Sequence, residues 1–343
     1  MIYKTKRQKL KLLKISFLAF FVFLASFNSV KASGGGDGEK VNISEMITHH
    51  ISDSHEWHFF DGATLYLPVI LYSSDRGIEV FSSSNFHDEN HEPVTYKGYN
   101  YEHGHIVPED PERAIIDFSI TKNVAALFVT AILLIVIFLA VARGYKKNAA
   151  TGPRGIQSFF EPIIVFVRDE VVKPNIGPKY ERFMPYMLTL FFFIWFGNIL
   201  GLLPGAANLT GNIAVTAVLA FFTFLLVNLN GNKAYWGHIF NTPGVPWWLK
   251  PVMIPVEVIG IFTKPISLML RLFVAITAGH IVLLSLIGLT FLFQSWTVGF
   301  ASTLVVTVIN FIEILVATIQ AYVFTMFSSL YIGMAVADHH DDH

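Results

Sequence analysis

The stretch VMIPVEVIGIFTKPISLMLRLFVAITAGHIVLLSLIGLTFLF, residues 252–293, is apolar over roughly twice the length that a bilayer core demands of a helix. Its ionisable side chains are Glu257, Lys264, Arg271 and His280. A second apolar stretch, Val298 to Ala337, follows with Glu313 inside it. A straight perpendicular helix of either length would overshoot the membrane. Two long helices are expected, with the excess taken up by strong tilt or a bend.

Working outward, three shorter spans precede this pair: about Val124 to Ala142, Phe183 to Leu203 and Ile213 to Leu229. Between the first two, residues 155–173 are too charged to cross. Phe159, Phe160, Ile163, Ile164, Phe166 and Val167 alternate there with Glu161, Arg168, Asp169 and Glu170. That pattern suits one amphipathic helix in the membrane interface, or a helix packed on the protein itself. The expected fold is therefore an all-α integral membrane protein with five crossings and one interfacial helix. Composition agrees: 53% of residues are hydrophobic and 14% charged, with a mean hydropathy of +0.53. Soluble domains carry roughly 25% charged residues.

Charge sets the orientation. Arg143, Lys146, Lys147 and Arg154 follow the first span, and residues 143–182 hold eight bases against four acids. Residues 33–118 hold sixteen acids against four bases. Basic loops stay inside, so this acidic segment is expected outside and the tail Asp338 to His343 inside, after five crossings. The uncharged turn 204–212 fits an outer loop, and Lys233 and Lys250 an inner one. Residues 1–32 read as a signal peptide. Six bases (Lys4 to Lys14) lead into apolar Ile15 to Phe27, then Val30-Lys31-Ala32 offers small residues at −3 and −1. An uncleaved anchor is the alternative. The expected organisation is a leader (1–32), an extracytoplasmic segment (33–118) and a membrane domain (119–343). Within 33–118, Thr64 to Leu67 and Ile78 to Phe81 alternate like strands.

Ionisable groups at membrane depth cost roughly 2.5–3.5 kcal/mol or more, so their default reading is functional. Arg271 has nearly twenty mostly apolar residues on either side, which makes snorkelling a poor escape. Its guanidinium keeps its proton, so it can attract a carboxylate or repel a cation but cannot relay a proton. A structural pairing with Glu313 is the alternative. His280 lies nine residues on, half a turn away, and is expected to serve a different surface. Asn310, Glu313, Ala317 and Gln320 make one stripe on the last helix. His280 and Glu313 are the groups of this pair able to exchange protons near neutral pH. Glu257 and Lys264, nearer the inner end, fit a water path or snorkelling to the interface.

The chain has no cysteine, which excludes disulfides and thiolate chemistry. It has no P-loop and no zincin, kinase or Ser-His-Asp signature, so neither direct nucleotide binding nor a cofactor is expected. Nucleic acid is not an expected partner either. The histidines of residues 49–105 and the terminal Asp-His-His-Asp-Asp-His lack a fixed metal-ligand spacing, and no metal is expected.

Thr263-Lys264-Pro265-Ile266-Ser267-Leu268-Met269-Leu270-Arg271-Leu272-Phe273, with Ala278-Gly279 beyond, resembles the signature of subunit a of F-type ATP synthases. Thr318 to Phe324 resembles the matching stretch of that family's final helix. Weaker similarity runs through Asn198 to Pro204, His49-His50, and Ser119 to Val172, and residues 60–110 look like an insertion. The resemblance implies a stator subunit in the cell inner (plasma) membrane, not catalytic alone. It implies a c-ring, b-type peripheral stalk subunits and, indirectly, a soluble catalytic sector as partners. Arg271 matches the essential arginine facing the ring carboxylate. Glu257, Lys264, Ser267 and Gln320 match polar positions along the proton path, which Asn310 is expected to flank. Many bacterial members carry Glu where His280 stands and His where Glu313 stands. The exchange keeps a mixed acid–imidazole pair and implies that the two side chains meet. Ala275 stands where many members have Asn. A small-solute transporter and a structural scaffold are the competing readings, but no inverted repeat favours the first.

Overall fold

The computed structural model describes residues 52–337, apart from short stretches at 61–62, 89–93, 103, 111, 148–151, 154, 204, 241–245 and 294. The expected leader (1–32), His49-His50 and the acidic tail lie outside the described residues.

Ahead of the membrane helices stands a small β module. Strands β1 (Glu56–Phe60) and β2 (Ala63–Tyr66) form a hairpin. Strands β3 (Pro68–Ser73), β4 (Gly77–Ser82) and β7 (Ile115–Asp117) form an antiparallel sheet of order β4-β3-β7. Strands β5 (Tyr99–Glu102) and β6 (His105–Pro108) form a second hairpin. Val69, Leu71 and Phe81 point from the sheet onto Phe86, Tyr99 and Ile106, a core rich in aromatic rings. Rings supply much apolar area per residue, which suits so small a module.

The module is clamped to the helix that follows, α1 (Lys122–Lys147). The Asp53 carboxylate accepts from the Thr121 hydroxyl (2.8 Å) and the Asn123 amide (3.2 Å), and the Lys122 amide donates to the Ser54 carbonyl (2.9 Å). These bonds satisfy donors that a helix N-terminus leaves open. Trp57 Nε1 donates to the Gly205 carbonyl at 2.7 Å, and Trp57 packs with Leu67, Ala126 and Ala207. The 205–211 loop therefore lies at the same end as the module.

Helix α2 (Ile156–Phe166) continues through a π turn at Val167–Val172 into the one-turn α3 (Lys173–Ile176). Gln157, Phe160, Val167, Val171, Val172 and Ile176 are buried while Arg168 and Glu170 are exposed, so this amphipathic segment packs one face on the bundle. Gly177, at φ 73°, turns the chain into α4 (Tyr180–Gly201). Asn212 caps α5 (Ile213–Leu229), its side chain accepting from the Ala214 amide at 2.9 Å. After α5 the chain bends by 99° into the short α6 (Lys233–Phe240). The two long helices are α7 (Lys250–Phe293) and α8 (Trp296–Val336).

Among the described residues four helices are long and apolar enough to cross a membrane, and the number is five if the bent pair α5–α6 is one span. The chain is a multi-pass membrane protein. At 1.5 Å per residue α7 is about 66 Å long, twice a hydrocarbon core of about 30 Å. Its core seam, Leu268, Leu272 and Ile276, lies in the central cluster with Ala220 and Val227 of α5 and Ala321 and Phe324 of α8. At the end opposite the module, Asn232 donates to the Ala337 carbonyl and Lys179 Nζ to that of Val336 (3.2 Å). Those groups close the C-terminus of α8.

Candidate functional site

Arg271 projects from the middle of α7 and is half-buried. Its guanidinium carbon lies 4.3 Å from the centre of the Phe327 ring on α8, a cation–π contact that leaves its hydrogen-bond donors open. Among the described residues no carboxylate is within ion-pair reach of it, so the alternative of an Arg271–Glu313 pair is not realised. One register step away Lys264 Nζ lies 5.6 Å from the centre of the Tyr331 ring, and Phe327 and Tyr331 pack at 6.0 Å. Side chains lean toward the helix N-terminus, so each cation reaches α8 about a turn short of its own Cα.

Glu313 is buried, 7% exposed. Its Oε1 lies 3.5 Å from His280 Nδ1. The two helices approach closely here because Gly279 has no side chain; a Cβ on it would stand 2.5 Å from Glu313 Oε1. Three buried polar atoms of this region, Thr277 Oγ1, His280 Nδ1 and Glu313 Oε2, make no hydrogen bond within the protein. Leaving such groups dry costs about 1–3 kcal/mol each.

The sequence places His280 on a different surface from Arg271, yet both reach α8. The seam of α7 explains this. Taking Leu272 as zero, Arg271 lies at −100° and His280 at about +80°, with Leu268, Ile276 and Gly279 between them. The two residues approach one partner helix from opposite flanks. On α8 the expected stripe Asn310, Glu313, Ala317, Gln320 continues at the same spacing through Phe324, Phe327 and Tyr331. One stripe thus meets Gly279 and His280 at one level and the two cations at another. Gln320 is half-buried between those levels, and Asn310 is exposed.

Nearer the end away from the β module a cleft of about 370 Å³ is lined by Tyr235 and His238 of α6, Glu257, Ile261 and Lys264 of α7, and Met334 and Ala337. It brings together Glu257 and Lys264, as their spacing suggests. A narrow pocket beside it joins Lys264 and Tyr331 to Asn228 and Thr223 on α5, and Asn228 Oδ1 is buried without a partner. Ser267 is half-buried on α7, with no contact that distinguishes it. Tyr235, His238, Asn228 and Thr277 escape sequence reasoning, because none interrupts a long apolar run as Arg271 does. Asn198, at 1% exposure, fastens α4 to α8 by donating to the Ala317 carbonyl (3.2 Å) while accepting from Thr210 (2.5 Å).

In the β module, His55 and His87 pair with Asp117 (2.9 Å) and Glu56 (2.5 Å) rather than with one another. Among the described residues no group of three His, Cys, Asp or Glu side chains is arranged to hold a metal ion.

The profile of the ATP synthase A chain family matches residues 124–333, which include α7, the Arg271 level and the Glu313 contact. The chain belongs to that family. ATP synthase subunit a of Chloroherpeton thalassium is 35% identical over all of this chain and 97% of its own length. ATP synthase subunit a 2 of Chlorobaculum tepidum is 45% identical over 68% of each chain, and subunit a of a Chlorobium phaeobacteroides strain is 43% identical over 90% of this chain and 80% of its own. A second profile, a domain of unknown function (DUF8433), matches residues 46–126. It covers the β module and extends beyond the insertion expected at 60–110.

Proposed function

We propose that this chain is the proton-conducting stator subunit of a rotary ATP synthase, with two half-channels that meet the c-ring on either side of Arg271. The observation that carries the reading is the Arg271 guanidinium midway along α7, against Phe327 of α8, with an acid–imidazole contact on one flank and a polar cleft toward the other end. Protons enter from the module side past His280 and Glu313, with Asn310 and Gln320 flanking the path, and neutralise a ring carboxylate. After the ring turns they leave through the cleft of Glu257, Lys264 and Ser267. A neutral carboxyl can face lipid whereas an ionised one cannot, so loading and unloading on opposite sides of Arg271 become rotation. The guanidinium holds the arriving carboxylate ionised by opposite charge and bars a direct leak. The b-type stalk holds the chain still against the ring, and the soluble sector does the nucleotide chemistry.

The test is Arg271→Ala in vesicles, reading ATP synthesis and, after the soluble sector is stripped, passive proton flux. Synthesis should stop and the stripped vesicles should leak protons. Arg271→Lys should block synthesis nearly as fully with less leakage, because a buried lysine can lose its proton. Normal coupled synthesis by the Ala variant would make Arg271 merely structural.

A further inference from the structure

The sheet β4-β3-β7 carries apolar side chains on both faces. Its inner residues, Val69, Leu71 and Phe81, make the module core. The outer positions are Ile70 and Tyr72 on β3, Ile78 and Val80 on β4, Ile116 on β7, and Phe118 one step beyond. The register sets Ile70 against Val80 and Tyr72 between Ile78 and Ile116, so these side chains form one continuous patch. It is open: Ile78 is 71% exposed, Val80 62%, Phe118 64% and Ile116 53%. The acids of these strands turn the other way, Glu79 toward Tyr99 and Asp117 toward His55. Strands apolar on both faces belong to sheets covered on both sides, and a contiguous apolar patch of this kind marks a contact surface.

We infer that this face lies on lipid, in the headgroup layer of the leaflet nearest the module. Phe118 stands four positions before Lys122, the first residue of α1, so extended chain places it within about 14 Å of the span. The bonds of Asp53 and Ser54 to residues 121–123, and of Trp57 to Gly205, prevent the module from swinging away. Exposed apolar side chains then continue into the span itself at Val124, Phe128 and Val129. The patch is an extension of the lipid-facing surface of α1. Tyr72 and Phe118 give it the aromatic character of a membrane interface.

The lack of native cysteine makes the test clean. Val80→Cys, Ile78→Cys and Phe118→Cys are each labelled with a nitroxide in the full-length chain, in vesicles of phosphatidylcholine and phosphatidylglycerol. Asp110→Cys serves as the water-exposed reference and Val129→Cys as the lipid-exposed one. The three patch labels should collide severalfold more with oxygen than with a water-soluble nickel chelate, as at Val129 and opposite to Asp110. Labels that favour the chelate would overturn the assignment. So would labels shielded from both reagents, since protein, a second copy included, would then cover the face.

Discussion

At Gly279 a single missing methyl group decides whether the acid meets the imidazole. Since a Cβ there would stand 2.5 Å from Glu313 Oε1, Gly279→Ala should push the carboxylate away from His280. ATP-driven proton pumping in inverted vesicles should fall while the subunit still assembles, as judged by its recovery with the complex. Full pumping by this variant would take the contact off the proton path. A companion experiment addresses the pair directly. His280→Ala or Glu313→Ala should each lower proton flux by on the order of a hundredfold, the low end of what a positioned proton-transfer group contributes. The double exchange His280→Glu with Glu313→His should restore part of the flux, and equal loss in all three would argue that the two side chains act separately. These residues are legible in sequence because an ionisable group inside forty apolar residues is too costly to be incidental. Tyr331 and Phe327 are not legible in the same way. Aromatic residues at helical spacing read as packing, and only the continuation of the Asn310 to Gln320 stripe could have pointed to them. His238 sits in a short polar connection where a titratable group costs nothing, so it carries no signal before α6 is folded back over Glu257.

Among the elements, the β module carries a pH dependence of its own, centred on His55. Its Nδ1 faces the Gly104 carbonyl at 3.0 Å and its Nε2 the Asp117 carboxylate at 2.9 Å. Both partners are acceptors, so the arrangement favours the protonated ring, in which both nitrogens donate. Burial by itself would lower the His55 pKa, but the bonds and charge of Asp117, the Gly104 carbonyl and the charge of Asp53 together raise it above 6.5. Burial likewise pushes Asp117 up, and its bonds from His55 and Ser119 outweigh that and bring it to about 2. The raised histidine contributes stability that is complete below its unfolded pKa and fades as pH rises through its folded one. The depressed aspartate contributes stability present above its unfolded pKa near 4 and lost as pH falls toward 2. The module should therefore be firmest between about pH 4 and 6.5. Hydrogen exchange of residues 99–108 in the whole protein, corrected for intrinsic rate, should speed up as pH rises past that window. His55→Gln should remove this alkaline dependence, and an unchanged profile in that variant would place the titrating group elsewhere. Two strands of this module are visible in sequence, at Thr64 to Leu67 and Ile78 to Phe81, because they alternate cleanly. The β5–β6 hairpin is not, since Tyr99 to Pro108 mixes aromatic, charged and glycine residues and gains its order from packing on Phe81 and Phe86. The membrane helices, by contrast, are legible nearly to their ends, because lipid forces every backbone group into a helix.

On the scale of the whole molecule, the structure fixes which segments share an end, and the charge pattern predicts which end is inside. Residues 53–57, 121–126 and 205–211 gather at one end through Asp53, Trp57 and Gly205. Residues 175–179, 232 and 335–337 gather at the other through Lys179, Asn232 and Asn175. An odd number of crossings separates these ends, whether the excess length of α7 and α8 is absorbed by tilt or by curvature. Arg143, Lys146 and Lys147 belong to the end of α1 away from the module, while the described residues of the module, within 52–118, carry ten acids. By the tendency of positive residues to stay inside, we expect the module outside and the C-terminus of the chain on the cytoplasmic side. On the proposed proton path that orientation would make the His280–Glu313 flank of Arg271 the inlet, since this contact lies on the module side of the arginine and the Glu257 cleft on the other. A fluorescent protein fused after residue 343 should therefore light up, and alkaline phosphatase fused there should stay inactive. A phosphatase inserted at Asp110 should be active. Activity of the terminal phosphatase would reverse the whole arrangement, turn the Glu257 cleft into the inlet and break the five-crossing count at once.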